Sequence, residues 1–213
     1  MIPQLKLAEL LCTRLCHDLA GPVGAMANGA EFMQEEGVKM HEQAMDLIST
    51  SAAQAIARLQ FYRRAYGRIN ENGEASIEEL KKATSDFFAG GKVTVDWPDV
   101  HTDSSGVSIS YKMGRLVFNL IIIAAATLLR GGTIAVRLSA NDATKSIHIQ
   151  AAGKMVKWDK EIEDSLSGLV ALEALTPKLA QAYMSRLLAE ELNTSLSWQV
   201  AEESITLVAY RKL

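Results

Sequence analysis

The sequence predicts an α+β protein: an N-terminal antiparallel helical hairpin followed by a two-layer α/β sandwich. Two observations carry this. The first 68 of the 213 residues hold no strand signal and carry two long helical stripes. From Ser76 onward, helical segments interleave with short alternating segments that read mainly as antiparallel hairpins. A third observation bounds the class. An apolar fraction of 48% with 22% charged residues is ordinary globular composition and excludes a largely disordered chain.

In the first helix, Leu11, Leu15, Leu19, Val23, Met26, Ala30 and Met33 recur at steps of three or four. That helix is about 45 Å long at roughly 1.5 Å per residue, and Gly37 breaks it. A second stripe runs through Ala44, Ile48, Ser51, Ala55, Leu59, Tyr62 and Tyr66, and the turn residues Gly67 and Asn70 to Gly73 end it. A lone hairpin leaves half its stripe in water, so another pair of helices is needed. A second copy of the chain supplies that pair, and a four-helix bundle by two-fold homodimerisation is expected. The alternative is that the C-terminal region covers the stripe within one chain.

The hairpin is expected to occupy residues 1–70 and the sandwich residues 75–213. Ser76 and Glu79 form a capping box that opens a helix reaching Phe88. Gly90-Gly91 ends it, Lys92 to Trp97 alternates as a strand, and Pro98 stops that strand. Tyr111 to Leu129 is a strongly apolar helix. Thr133 to Ser139 and Ser146 to Ala152 read as a hairpin around Asn141-Asp142. Lys154 to Gly168 has no defined pattern. Pro177 to Leu192 is a helix with proline in its first turn. Leu196 to Val200 and Ser204 to Tyr210 form a last hairpin around Glu202-Glu203.

Lysine and arginine total 22 against 25 acidic residues, a net charge of −3, which argues against nucleic-acid binding. Two cysteines, Cys12 and Cys16, cannot build a disulfide framework, and a reducing cytoplasm fits them. The apolar run Leu116 to Leu129 contains Asn119 and falls short of the roughly 20 residues of a spanning helix. Glu9 and Arg14 interrupt any signal-peptide core, so neither a leader nor a membrane contact is expected.

His17 stands out in the first helix. At 100° per residue the apolar stripe centres near Leu15, Leu19 and Met26, and His17 falls about 180° from that centre. It is expected to face solvent. Its neighbours on that face, Thr13, Ala20, Gly21 and Gly24, are all small. Glycine inside a helix costs roughly 0.5–1 kcal/mol relative to alanine. Pro22 removes the hydrogen bond to the carbonyl of Asp18 and is expected to kink the helix. A solvent face needs none of these residues, so they read as a cleared approach to an exposed imidazole. The bland readings are a solvated surface histidine and glycines kept for close packing of a dimer. Cys12, Cys16 and His17 suggest a metal site, but the wheel places both cysteines on or near the buried stripe, away from His17, and no further ligand joins them. Neutral imidazole is a good nucleophile near neutral pH. Asp18 is placed to accept a hydrogen bond from one ring nitrogen, which fixes the tautomer and stabilises the charged ring.

Leu15-Cys16-His17-Asp18-Leu19-Ala20-Gly21-Pro22-Val23 resembles the phospho-acceptor box of sensor histidine kinases, H-(E/D)-L-x-x-P-(L/V). Arg115 to Ala124 is similar to the kinase N-box helix, N-L-x-x-N-A, with Asn119 at the first asparagine and Ile123 at the second. The strand ending at Ala151 runs to the place of the D-x-G-x-G box. Ala151 stands at the adenine-reading aspartate and Met155 at the last glycine, and only Gly153 remains. Apolar residues cannot hold a nucleotide's phosphates and Mg²⁺. Arg58 to Gly67 is similar to R-L-x-F-x-R-x-A-(F/Y)-G. Together these features resemble the ChpT-type histidine phosphotransferases of alphaproteobacteria, which have a kinase-like acceptor hairpin and a degenerate sandwich resembling the histidine-kinase ATP-binding domain.

The resemblance implies a cytoplasmic homodimeric phosphotransferase that uses no ATP. His17 is its phospho-acceptor and Asp18 orients the imidazole. The partners it implies are receiver domains of a hybrid histidine kinase and of response regulators, which are expected to supply Mg²⁺. No nucleotide, metal or cofactor site of its own is expected. Thr13, Arg14, Ala20, Gly21 and Gly24 are expected to dock the receiver, with Arg58, Arg63 and Arg64 meeting its acidic rim. A divergent ATP-dependent kinase and a non-catalytic dimeric adaptor are the competing readings. His41, His101 and His148 carry no assigned role, and Trp97, Trp158 and Trp198 are expected to pack the sandwich.

Overall fold

A computed structural model describes residues 3–34, 38–67, 73–97, 109–140 and 144–212. Helix α1 spans Pro3–Phe32 and α2 spans Val38–Tyr66. The expected break at Gly37 lies outside the described residues, as do the tight turns expected at Asn70 and at Asn141-Asp142, the stop at Pro98, and His101. The two helices approach closely at Gly29. A Cβ there would lie 2.7 Å from Ile48 Cγ1 and 3.1 Å from the Ala44 carbonyl oxygen.

The sandwich begins with a two-residue ladder, β1 (Glu74–Ala75) against β3 (Ile109–Ser110), which is too short to show in a sequence pattern. Helix α3 spans Ile77–Phe88, and the Ser76 hydroxyl accepts the Glu79 N–H at 3.1 Å, as the capping box predicts. Helix α4 spans Tyr111–Thr127 and is buried on nearly every side. It ends two residues before the expected Leu129, because Leu128 leaves to bridge Val156. The five-stranded sheet has the order β2 (Val93–Asp96), β4 (Gly132–Ala140), β5 (Thr144–Ala152), β7 (Ser204–Lys212), β6 (Ser195–Val200). Strand β2 pairs parallel with β4 and all other pairs are antiparallel. Ile134, Ala151 and Ile205 stand side by side on the inner face, each fully buried.

The stretch without a sequence pattern, 154–168, contains α5 (Lys160–Leu166), with Asp159 Oδ1 accepting the Glu161 N–H at 3.1 Å. A 3₁₀ turn (Leu172–Ala174) and α6 (Pro177–Glu191) follow. The tryptophans pack as expected. Trp97 is buried and donates to Thr84 Oγ1 at 2.9 Å, and the Trp158 and Trp198 rings lie 6.1 Å apart.

The C-terminal end of α2 shares one core with the sandwich. Phe61 is fully buried, stacked on Phe87 of α3 at 4.1 Å and edge-on to Phe118 of α4 at 4.8 Å. Helix α6 and the 3₁₀ turn pack against α1. The sandwich therefore covers part of the hairpin stripe within one chain, the alternative weighed above. The rest stays uncovered: Leu5, Val23, Met45, Ile56 and Leu59 are each 50–56% exposed. Cys12 and Cys16 are also exposed, which corrects their expected burial. At 100° per residue they lie within about 40° of Leu5 and Val23, so they belong to the uncovered apolar face and not to the face packed on α2. Among the described residues no helix is long and apolar enough to cross a membrane.

Candidate functional site

Midway along α1 the His17 side chain is 87% exposed. Its Nδ1 lies 3.1 Å from Asp18 Oδ1. A carboxylate only accepts hydrogen bonds, so in the neutral ring this contact favours the tautomer with the hydrogen on Nδ1 and the lone pair on Nε2. Asp18 is held on its other sides by three residues. The Tyr62 hydroxyl donates to its Oδ2, and Arg14 Nε approaches the same oxygen at 4.0 Å. The Arg58 guanidinium donates to its backbone carbonyl. That carbonyl is the acceptor a residue-22 N–H would have filled in an uninterrupted helix. Pro22 has no N–H, and an arginine 40 residues away takes its place.

Tyr62 is 2% exposed, and burial, with the Asp18 carboxylate second, holds its hydroxyl well above the ordinary phenol range. It stays protonated and donates. Tyr66 stacks on it at 5.2 Å and is likewise pushed up by burial. The Tyr66 hydroxyl donates to Gln181 Oε1 at 2.6 Å, and Gln181 Nε2 donates to Asn119 Oδ1. Asn119 Nδ2 donates to the Ala65 and Arg115 carbonyls at 2.8 and 2.7 Å. A polar chain thus runs from α2 through α6 to the centre of α4.

The small residues beside His17 leave its approach open. Ala20, Gly21 and Gly24 are exposed, and a Cβ at either glycine would meet nothing within 4 Å. Nothing within the chain requires glycine at these positions. Thr13 is exposed and its hydroxyl donates to the Glu9 carbonyl at 2.8 Å. The three arginines of α2 do not form one patch. At 100° per residue they point about 100–140° apart. Arg58 is engaged with Asp18, Arg63 is exposed, and Arg64 turns toward the sandwich, lining a small cavity with Glu79, Tyr111 and Arg115. Beside Asp18 and Arg58 an open groove of about 500 Å³ extends past Phe87 and Phe88 to the Gly90-Gly91 turn.

At the positions aligned with the kinase nucleotide boxes, Asn119 is fully buried and occupied by its three partners. Ile123 is 3% exposed and Ala151 fully buried. Among the described residues no three His, Cys, Asp or Glu side chains are grouped so as to hold a metal ion.

Sequence reasoning missed the Tyr62 contact and the destination of Arg58. Tyr62 reads as one more apolar position of the second stripe. The carbonyl orphaned by Pro22 was a usable signal that some donor had to reach Asp18.

The family described as "Histidine phosphotransferase C-terminal domain" matches residues 77–204. The Protein phosphotransferase ChpT of Brucella abortus (strain 2308) is 32% identical over 206 residues, covering 96% of this chain and 95% of that protein. The chain belongs to the histidine phosphotransferase family. A solved structure of a bacterial phosphotransferase superposes with a TM-score of 0.79 at 31% identity, over 96% of each chain. The family match covers the sandwich of this histidine phosphotransferase. The Brucella relative and the solved structure span the His17 hairpin as well. Histidine phosphotransfer in a phosphorelay is the activity of the chain.

Proposed function

We propose that His17 is the phospho-acceptor, and that it passes a phosphoryl group between the aspartates of receiver domains without ATP. The observation that carries this is an 87% exposed imidazole whose Nδ1 is held by Asp18, on a helix face where Gly21 and Gly24 leave open space. In the first step Nε2 attacks the phosphorus of an aspartyl phosphate. A P–N bond forms, the P–O bond to the receiver breaks, and the receiver's carboxylate leaves with the electron pair. The ring keeps its Nδ1 hydrogen and becomes cationic, facing Asp18 Oδ1. In the second step the carboxylate of another receiver attacks the phosphorus, the P–N bond breaks, and the electron pair returns to Nε2. Donors and acceptors of this kind are receiver domains of a hybrid histidine kinase and of response regulators.

Buried Ile123 and Ala151 support a reaction without ATP, because neither side chain can contact phosphate or adenine. The Mg²⁺ of the reaction is expected to come with the receiver domain. The uncovered stripes of α1 and α2 support a homodimer joined through the hairpins, with residues 1–70 as its phosphotransfer unit and 75–213 as the sandwich. Thr13, Arg14, Ala20, Gly21, Gly24 and Arg63 surround His17 or remain outward on α2 as the docking surface. Arg58 and Arg64 act there through Asp18 and the sandwich rim.

The test is transfer of radiolabel from a phosphorylated receiver domain to the pure protein. The wild type is expected to gain an acid-labile label and His17→Ala to gain none. Label on His17→Ala equal to the wild type sinks the assignment. A rise in melting temperature with millimolar ATP would sink the ATP-free part. A monomer in sedimentation equilibrium would sink the dimer.

A further inference from the structure

Only one of the two Asp18 carboxylate oxygens faces His17. Oδ1 lies 3.1 Å from the imidazole Nδ1, and Oδ2 accepts the Tyr62 hydroxyl. A carboxylate with a free second oxygen turns about its Cβ–Cγ bond, a broad and soft torsion, and divides its time between imidazole and water. The Tyr62 ring cannot follow such a rotation. It is edge-on to Phe61 at 5.9 Å and to Phe87 at 5.6 Å, and it stacks on Tyr66 at 5.2 Å. Tyr66 is itself tied to Gln181 at 2.6 Å. Phe87 belongs to α3 and Gln181 to α6, so the side chain that holds Asp18 is in turn held by the sandwich.

We propose that Tyr62 is a positioning residue for phosphotransfer: its hydroxyl fixes the Asp18 carboxylate so that His17 is held as the Nδ1–H tautomer with Nε2 open to the phosphorus. This rests on His17 as the acceptor. Throughout the reaction the Nδ1 hydrogen stays on the ring and no proton changes hands. Removing the Tyr62 hydroxyl therefore removes neither the nucleophile nor the carboxylate. It weakens the bias toward the Nδ1–H tautomer that a fixed carboxylate gives the neutral ring. An exposed side chain without that bias has either nitrogen carrying the hydrogen, and the fraction with Nε2–H cannot attack.

The experiment compares the wild-type full chain with Tyr62→Phe, which keeps the ring and its aromatic contacts. Two-bond proton–nitrogen-15 correlation at His17, recorded on the neutral imidazole, reads the tautomer directly. The wild type is expected to be mostly Nδ1–H and Tyr62→Phe to shift toward Nε2–H. The rate constant of label transfer at saturating receiver is expected to fall about tenfold, the size typical of losing an outer partner that orients an imidazole. The half-saturating receiver concentration is expected to stay unchanged. An unchanged tautomer overturns the proposal, and so does an unchanged rate constant. Should Tyr62→Phe fail to fold, Phe87→Leu replaces it. This variant keeps the hydroxyl and loosens the ring, so a smaller shift in the same direction is expected and no shift overturns the proposal. The tautomer is read without any phosphoryl donor. A failure of His17 as acceptor appears in the His17→Ala labelling, and a failure of Tyr62 appears in the nitrogen-15 spectrum.

Discussion

Helices α1 and α4 each carry a polar motif residue mid-helix, and their surroundings make opposite use of it. On α1, His17 is 87% exposed, with one ring nitrogen engaged by Asp18 and small exposed residues, Ala20, Gly21 and Gly24, beside it on the helix. On α4, Asn119 is fully buried, with both amide hydrogens donated to carbonyls and its oxygen accepting from Gln181. A polar side chain stays available for chemistry when its neighbours satisfy part of its hydrogen-bonding capacity and leave the rest uncovered. One that is satisfied completely becomes a fastener. Gly21 and Gly24 keep α1 in the first condition, and Ile121 to Ile123 surround α4 with apolar atoms and keep it in the second.

Rebuilding the second N-box asparagine with Ile123→Asn attacks that contrast most strongly. The change buries an unpaired amide in an apolar core and is expected to cost about 3–5 kcal/mol. A large fall in thermal midpoint, with no gain in stability from added ATP, is the expected result. A variant as stable as wild type would show that the α4 surroundings are not closed. On α1, Arg58→Met is expected to leave the Asp18 carbonyl without its donor and to cost about 1.5–3 kcal/mol in urea denaturation. An unchanged midpoint would show that Pro22 orphans nothing.

Gly21→Ala is expected to act in the opposite sense. Its Cβ meets nothing within 4 Å, so the helix gains about 0.5–1 kcal/mol while label transfer slows. A more stable variant with an undiminished transfer rate would reduce the cleared face to an accident of composition.

The mildest comparison is by pH. Burial raises the hydroxyl pKa values of Tyr62 and Tyr66 above the ordinary phenol value of 10.0 that applies in the unfolded chain. Their contribution is fully present below about pH 10 and is lost as pH rises through the higher folded values, because the unfolded state ionises first. Tyr66→Phe is expected to flatten the alkaline fall of the thermal midpoint without changing it from ionisation at neutral pH. An equally steep fall in this variant would remove Tyr66 from the account.

The hairpin was legible because a thirty-residue helix repeats its stripe often enough to stand above noise, and His17 was legible because it breaks that stripe. The capping box at Ser76 and the apolar face of α4 were legible for the same local reason. Helix α5 was not: seven residues make two turns, too few for a period, and its definition comes from packing on α6. The parallel pairing of β2 with β4 was also hidden, since strand partners across a helix leave no local mark. The cysteines were misplaced because Leu15 and Leu19 drew the stripe centre toward them, while the face packed on α2 runs through Pro22 and Gly29. At the site, the sequence showed an orphaned carbonyl at Asp18 but not its donor. Arg58 and Tyr62 arrive from 40 and 44 residues away, a distance only the folded hairpin closes.

The aromatic cluster of Phe61, Phe87 and Phe118 is a party wall, shared by two neighbours and owned by neither. Severing the chain between α2 and β1 would strip the plaster from both sides, leaving wet rings on each fragment. The sandwich therefore has a structural role that does not depend on any chemistry of its own. Without it the hairpin loses the masonry behind Tyr62, and the reactive histidine outside loses the surface its neighbour leans against.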